Sequence, residues 1–238
     1  MSLPTWTPSE LKSEAKPWEG PAWRLVEAQN IISTRKLVES VHEQNILDEI
    51  LDESKPKVPE SCRHLDFLLF TPFRYRPYPR GSRFRPAGMT DGVFYAAQEY
   101  ETAVAEMAYY RMKFYQDSPG LKAPENAAEY TAFQVDVKTS LALDLTTDPF
   151  VEYEEFWTRE RDYGPCQALA ETAREAGVEV ILSRSVRDPH GRKNVNVLSC
   201  AAFAKPKPIQ MQTWRIVANS TSATAYCQSP RKVLEYAA

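Results

Sequence analysis

The chain has 238 residues, 43% of them hydrophobic, enough for one substantial core or one core plus an appended subdomain. Its 29 Lys and Arg against 32 Asp and Glu leave a net charge of −3, which supplies no overall field toward nucleic acid or an anionic membrane. Binding a polyanion is therefore disfavoured as the main role.

In chain order, residues 1–20 hold Pro4, Pro8, Pro17 and Gly20 among polar residues and read as an irregular surface arm. Their charges interrupt any signal peptide, and no later run approaches a membrane span, so a soluble, cytoplasmic protein is expected. From Trp23 to Glu53 apolar residues recur at helical intervals, among them Leu25, Val26, Ile31, Ile32, Ile46 and Ile50. This predicts one or two helices, broken near Ser33 and Thr34. Residues 1–60 thus read as an arm with a helical extension, and residues 61–238 as the main domain.

After a connector at 55–61, the compact run Leu65–Phe70 predicts a buried strand. A long proline- and glycine-punctuated loop follows, and six arginines lie between Arg63 and Arg85: Arg63, Arg74, Arg76, Arg80, Arg83 and Arg85. A short strand at Gly92–Ala96 precedes a helix over about 101–115, with a stripe of Ala103, Val104, Met107, Tyr110 and Phe114. Phe133–Val137 alternates like a half-buried strand, and Cys166–Ala176 reads as a helix closed by Gly177 before a strand at Val178–Leu182. Two further strands are predicted at Asn194–Cys200 and Met211–Ala218. Helices mixed irregularly with short strands favour an α+β fold. Cys62, Cys166, Cys200 and Cys227 form no C-x-x-C pair, so reduced thiols are expected rather than zinc or a redox motif.

Chemistry concentrates in three places. The arginine-rich loop suits an anionic ligand, because a guanidinium fork meets a phosphate at two points; the alternative for any one of these arginines is a simple pair with a surface carboxylate. Tyr95, at the end of a strand, can stack on a flat heterocycle or fill the core. Glu106 lies in TAVAEMAYY, where a carboxylate among small and apolar neighbours needs a partner or a purpose. Ser185 leaves a strand and can donate to a ligand or cap a turn, while His190 beside Gly191 reads as a turn residue with no companions at metal-ligand spacing. The fingerprints of a phosphate loop, a dinucleotide crevice, a nucleophile elbow and a zincin are missing.

GSRFRPAG, VFYAAQEYETAVAE and ILSRSVRD resemble, in that order, the three motifs of the RES domain, over about residues 65–200. PFRY with Arg74 and the segment WRLVEAQNIISTRKLVESVHEQ are similar to the longer branch of that family. The chain departs from the pattern in carrying GSRF where the family usually has GGRW, and Arg184 where proline often precedes the serine. The resemblance places the family's arginine at Arg83, its tyrosine at Tyr95, its glutamate at Glu106 and its serine at Ser185. It implies an ADP-ribosyltransferase-like α+β domain with a central split, mainly antiparallel sheet flanked by helices. It further implies the toxin of a type II toxin–antitoxin pair that uses NAD⁺ as substrate without a metal.

On that reading Glu106 supports the oxocarbenium-like ribose, and Arg83, aided by Arg74, holds the pyrophosphate. Tyr95 packs against the nicotinamide or its ribose, and Ser185 hydrogen-bonds the nicotinamide end or a phosphate. ADP-ribose passes to water, to phosphate or to a host protein acceptor. The implied partner is an Xre-like antitoxin with a DUF2384-type domain that plugs the site; neither nucleic acid nor membrane is expected as a direct partner. The alternative from another class is a non-catalytic phosphate-ligand or protein-interaction module.

Overall fold

In the computed structural model, which describes residues 4–28, 37–123 and 126–238, the chain begins with a helix where an irregular arm was expected. Helix α1, Pro8–Glu14, opens on a capping box: the Thr7 side chain accepts from Glu10 N, and Glu10 accepts from Thr7 N at 2.7 Å. Leu11 is fully buried and anchors the helix in the core.

Strand β1, Lys16–Glu27, corrects the expected helix at Trp23. Ala22 faces one core cluster while Trp23 and Leu25 face another, so both sides of the strand are apolar and the run lacks the alternation that marks a half-buried strand. The segment read as an arm therefore supplies a wall of the sheet. Ile31, Ile32 and the expected break at Ser33 and Thr34 lie outside the described residues. Helix α2, Val41–Glu53, starts at Ser40, whose hydroxyl accepts from Glu43 N at 3.1 Å. Leu65–Phe70 contains no strand: Asp66 accepts from Leu68 N and caps the single-turn helix α3, Phe67–Phe70.

The remaining elements are β2 (Phe94–Ala97), α4 (Tyr100–Gln116), β3 (Ala128–Asp144), α5 (Glu154–Trp157), α6 (Gly164–Glu175), β4 (Val180–Arg184), β5 (Lys193–Val197), β6 (Gln210–Ala218), β7 (Ser222–Cys227) and β8 (Lys232–Ala237). The last two strands went unread in the sequence, and β3 is far longer than the expected Phe133–Val137. Gly177 ends α6 at φ +78°, as its place in the sequence predicted.

One eight-stranded sheet runs β1-β2-β5-β4-β3-β6-β7-β8, with β1 also paired to β3. Every pairing is antiparallel except β3–β4, in keeping with the expected mainly antiparallel α+β fold. Because β1 pairs with both β2 and β3, strands β1, β2, β5, β4 and β3 close a ring, and β6–β8 extend from the first half of β3. Phe94, Phe133, Val135, Val180, Leu182, Val195 and Val197 fill the cluster inside the ring. A second cluster joins α1, α5 and α6 to Leu143 and Ile181, and a third joins α4 to Trp23, Tyr130, Trp214 and Ile216.

Two more expectations change. On α4 the buried residues are Thr102, Ala103, Val104, Ala105, Ala108 and Met112, whereas Tyr110 and Phe114 are 52% and 48% exposed. Small residues let the helix lie close to the sheet, which rotates the large aromatics outward. Cys62 and Cys200, expected as free thiols, form a disulfide with Cα atoms 5.5 Å apart across 138 residues. Their pairing follows from the turns that bring residues 60–62 against 200–202, a contact that spacing in the chain does not reveal. Cys166 and Cys227 remain free and buried. Denatured protein that has not been reduced should therefore titrate two thiols and reduced protein four; four without reductant would rule the disulfide out. Among the described residues no helix is long and apolar enough to cross a membrane.

Candidate active site

Gly81 holds φ +64°, and a Cβ there would stand 2.5 Å from the Arg85 carbonyl oxygen. The glycine lets Ser82–Arg85 close a tight turn, in which Ser82 N donates to Arg85 O at 2.7 Å and Arg85 N to Ser82 O at 3.2 Å. Arg83 and Phe84 form its tip. Phe84 is fully buried and fixes the turn to the core, so Arg83 projects the other way. Its Nη1 donates to Trp157 O at 2.8 Å, and its guanidinium lies 4.7 Å from the centre of the Tyr163 ring. Nε and Nη2 carry no partner among the described residues and are not sealed from solvent.

The hydroxyl of Tyr95 is committed to the arginine turn, while the residue as a whole stays partly exposed. Its hydroxyl accepts from Phe84 N at 3.0 Å and lies 2.7 Å from Ser82 Oγ, so it braces the turn that carries Arg83. Burial pushes this phenol up against the lowering effect of those two hydrogen bonds, which keeps it protonated. Arg74 is also placed elsewhere than expected: it donates to Asp52 and to Pro56 O and ties down the end of α2. Arg85 is 2% exposed and donates to the carbonyls of Tyr75, Met89 and Thr90, so it knits the loop together instead of pairing with a surface carboxylate.

Glu106 sits on α4 above the outer face of β2, β5 and β4. Register across those strands sets Ala97, Asn194 and Ser183 in one row and Tyr95, Asn196 and Ile181 in the next. Asn194 donates to Glu106 Oε1 at 2.8 Å, and Ser185, just past β4, donates to the same oxygen at 2.7 Å. Oε2 has no partner among the described residues and is not buried. The serine and the glutamate predicted from sequence thus meet directly.

The loop after Ser185 is fastened to α4 one turn before Glu106. Asp188 accepts from Thr102 Oγ1 at 2.6 Å, from His190 N at 3.0 Å, and from Arg192 through both carboxylate oxygens. Burial pushes the Asp188 carboxyl up, but the hydrogen bonds from Arg192, Thr102 and His190 N outweigh it and hold the group below the usual carboxylate range. A run of aromatics spans the interval between Glu106 and Arg83. Tyr110 lies beside Tyr163, over whose ring Arg83 sits, and faces the Glu106 charge. Desolvation of its hydroxyl, then the neighbouring Tyr163 and Glu106, raise the Tyr110 phenol although the ring is half exposed, so it stays protonated at neutral pH. Arg187 stacks 3.6 Å from the Tyr109 ring centre and donates to Glu160 O at 2.8 Å.

Asn194, Tyr110, Tyr163 and Arg187 escaped the sequence reading. Asn194 left one signal: the strand KNVNV carries two asparagines, a residue type depleted in strands. Tyr110 was expected in the apolar stripe of α4, and the packing of that helix turns it outward.

A family model described as the RES domain matches residues 58–219. No curated protein matches the sequence. Among solved structures, a chain from the crystal structure of the M. tuberculosis MbcT–MbcA toxin–antitoxin complex is similar at 15% identity and TM-score 0.52, over 88% of this chain and 92% of that one. At that identity the likeness concerns the fold.

Proposed function

The chain belongs to the RES-domain family, and on that footing we propose that it breaks the nicotinamide–ribose bond of NAD⁺ and passes ADP-ribose to an acceptor, as the toxin of a toxin–antitoxin pair. The observation that carries this reading is the Glu106 carboxylate, held through Oε1 by Ser185 and Asn194 with Oε2 open. A carboxylate so fixed suits a sugar that develops positive charge, as in glycosidases.

In this mechanism the bond between ribose C1′ and the nicotinamide nitrogen breaks, and its electron pair leaves with neutral nicotinamide. Glu106 Oε2 stabilises the oxocarbenium-like ribose and aligns the acceptor oxygen, which bonds to C1′ and, where it carries a proton, passes it to Oε2 and from there to solvent. Arg83 offers Nε and Nη2 to the pyrophosphate, and the Tyr163 ring supports the guanidinium on one side. Tyr110 and Tyr163 provide flat surface between the two charged ends. The acceptor is water, phosphate or a protein side chain. An antitoxin of the Xre-like class would silence the enzyme by covering Glu106 and Arg83, a reading supported by the fold shared with a chain of a toxin–antitoxin complex.

The direct test is release of nicotinamide from NAD⁺, with product analysis in the presence and absence of phosphate and a cell extract. ADP-ribose or its 1″-phosphate in solution supports degradation, and a mass shift on a protein supports transfer. No nicotinamide release with any acceptor would overturn the assignment. Arg83→Ala should weaken NAD⁺ binding by about 1.5–3 kcal/mol for a lost charged hydrogen bond. Arg74→Ala should leave it unchanged and cost about 1–3 kcal/mol of stability, because the Arg74 side chain is only 9% exposed and donates to the Pro56 and Asp52 carbonyls as well as to the Asp52 carboxylate. Calorimetric titration with NAD⁺ checks both, and equal affinities in the two variants would remove Arg83 from the pyrophosphate site.

A further inference from the structure

We propose that Asn194 and Ser185 are positioning residues for Glu106, which together pin Oε1 so that Oε2 is the oxygen presented to substrate. The inference rests on the reading of Glu106 as the group that faces the ribose, and it goes beyond that reading by adding a residue and by changing the role of the serine.

The serine's own bonding capacity carries the first half. A hydroxyl has one hydrogen to donate and two lone pairs to accept. Ser185 Oγ gives its hydrogen to Glu106 Oε1 at 2.7 Å and accepts from Arg187 N at 3.2 Å and Asp188 N at 3.1 Å. Nothing remains with which to bind nicotinamide or a phosphate, and the residue is 2% exposed. Ser185 therefore acts through the glutamate.

Asn194 carries the second half. One donor on a carboxylate leaves the group free to exchange its two oxygens by rotation, whereas two donors from separate segments converging on one oxygen oppose that rotation. Asn194 and Ser185 converge in this way: Asn194 is fixed in β5 between Ala97 of β2 and Ser183 of β4, and Ser185 is fixed by two backbone N–H groups of the loop beyond β4. The result is an oriented carboxylate on the helix, with one oxygen committed and one free. Loss of such orientation displaces a reacting group without removing it, which lowers turnover more than binding.

The experiment compares Ser185→Ala, Asn194→Ala and the donor-retaining variants Ser185→Thr and Asn194→Ser. It reads steady-state NAD⁺ kinetics, thermal stability and crystal structures of the wild type and of the two alanine variants. Each alanine variant should lose about tenfold or more in kcat with KM for NAD⁺ within about twofold. Melting temperature should hold in Asn194→Ala and fall in Ser185→Ala, which strips Arg187 N and Asp188 N of their acceptor; each donor-retaining variant should recover part of the kcat loss, and the Glu106 carboxylate should turn in the alanine crystals. An Asn194→Ala enzyme with wild-type kcat overturns the proposal. So does a Glu106 carboxylate that keeps its orientation in both alanine crystals, whatever the activity. If the wild-type protein releases no nicotinamide yet the carboxylate turns in both variants, the NAD⁺ reading falls and the positioning stands.

Discussion

Glu106→Gln is expected to lower NAD⁺ turnover by about 10²-fold or more while leaving NAD⁺ binding nearly intact. The substitution keeps length and shape and removes the charge. The surroundings make the loss larger than charge alone would, because Ser185 and Asn194 both donate to one position. The glutamine must place its carbonyl oxygen there, since an NH₂ group would oppose two donors. That leaves the NH₂ end where Oε2 stood, facing a ribose that is becoming cationic. Single-turnover nicotinamide release measures the chemical step, and calorimetry measures binding. A glutamine enzyme that turns over at the wild-type rate would remove Glu106 from the mechanism.

Asp188→Ala is expected to cost about 2–4 kcal/mol of stability, the range for breaking a buried, hydrogen-bonded charge whose partner keeps some solvent. Asp188 has a fully buried side chain, and Arg192 is 32% exposed and can rehydrate, which keeps the figure below that for a sealed pair. For a chain of this size the melting temperature should fall by roughly 5–15 °C. The linkage sign follows from the direction of the shift. Asp188 is held below the usual carboxylate range in the folded protein, so it adds stability above the unfolded value of about 4, and this is lost as pH falls through the lower folded value. Thermal melts from pH 7 down to pH 2 should therefore show a weaker acid dependence in the alanine variant. Activity should fall as well, since the loop that positions Ser185 loses its tie to Thr102 on α4. Matching melting temperatures for variant and wild type would show that the network does not hold the loop.

How far each feature was legible depends on the distance over which its cause acts. α4, the α6–β4 unit closed by Gly177, and the strand exit at Ser185 were readable because caps, periodicity and turn residues act within a few positions. The capping box at Thr7 is equally local, and the prolines around it mask a helix that Thr7 and Glu10 start. β1 was misread for a different reason: closure of the five-strand ring buries both its faces, which erases the alternation that identifies a strand.

Among the site residues, the chain's own motifs determined the α+β class, membership of the RES-domain family, and the candidacy of Arg83, Glu106 and Ser185, because each is carried by a short segment whose local conformation positions it. Tertiary structure alone decided that Tyr95 braces the Arg83 turn, that Arg74 serves α2, that Cys62 meets Cys200, and that Asn194 shares an oxygen of Glu106 with Ser185. Asn194 lies 88 residues from Glu106 and Cys200 lies 138 from Cys62, and such pairs are set by strand register and helix packing, which no spacing along the chain encodes. A side chain's type states which hydrogen bonds it can make, and only the folded neighbourhood determines which of them are already taken.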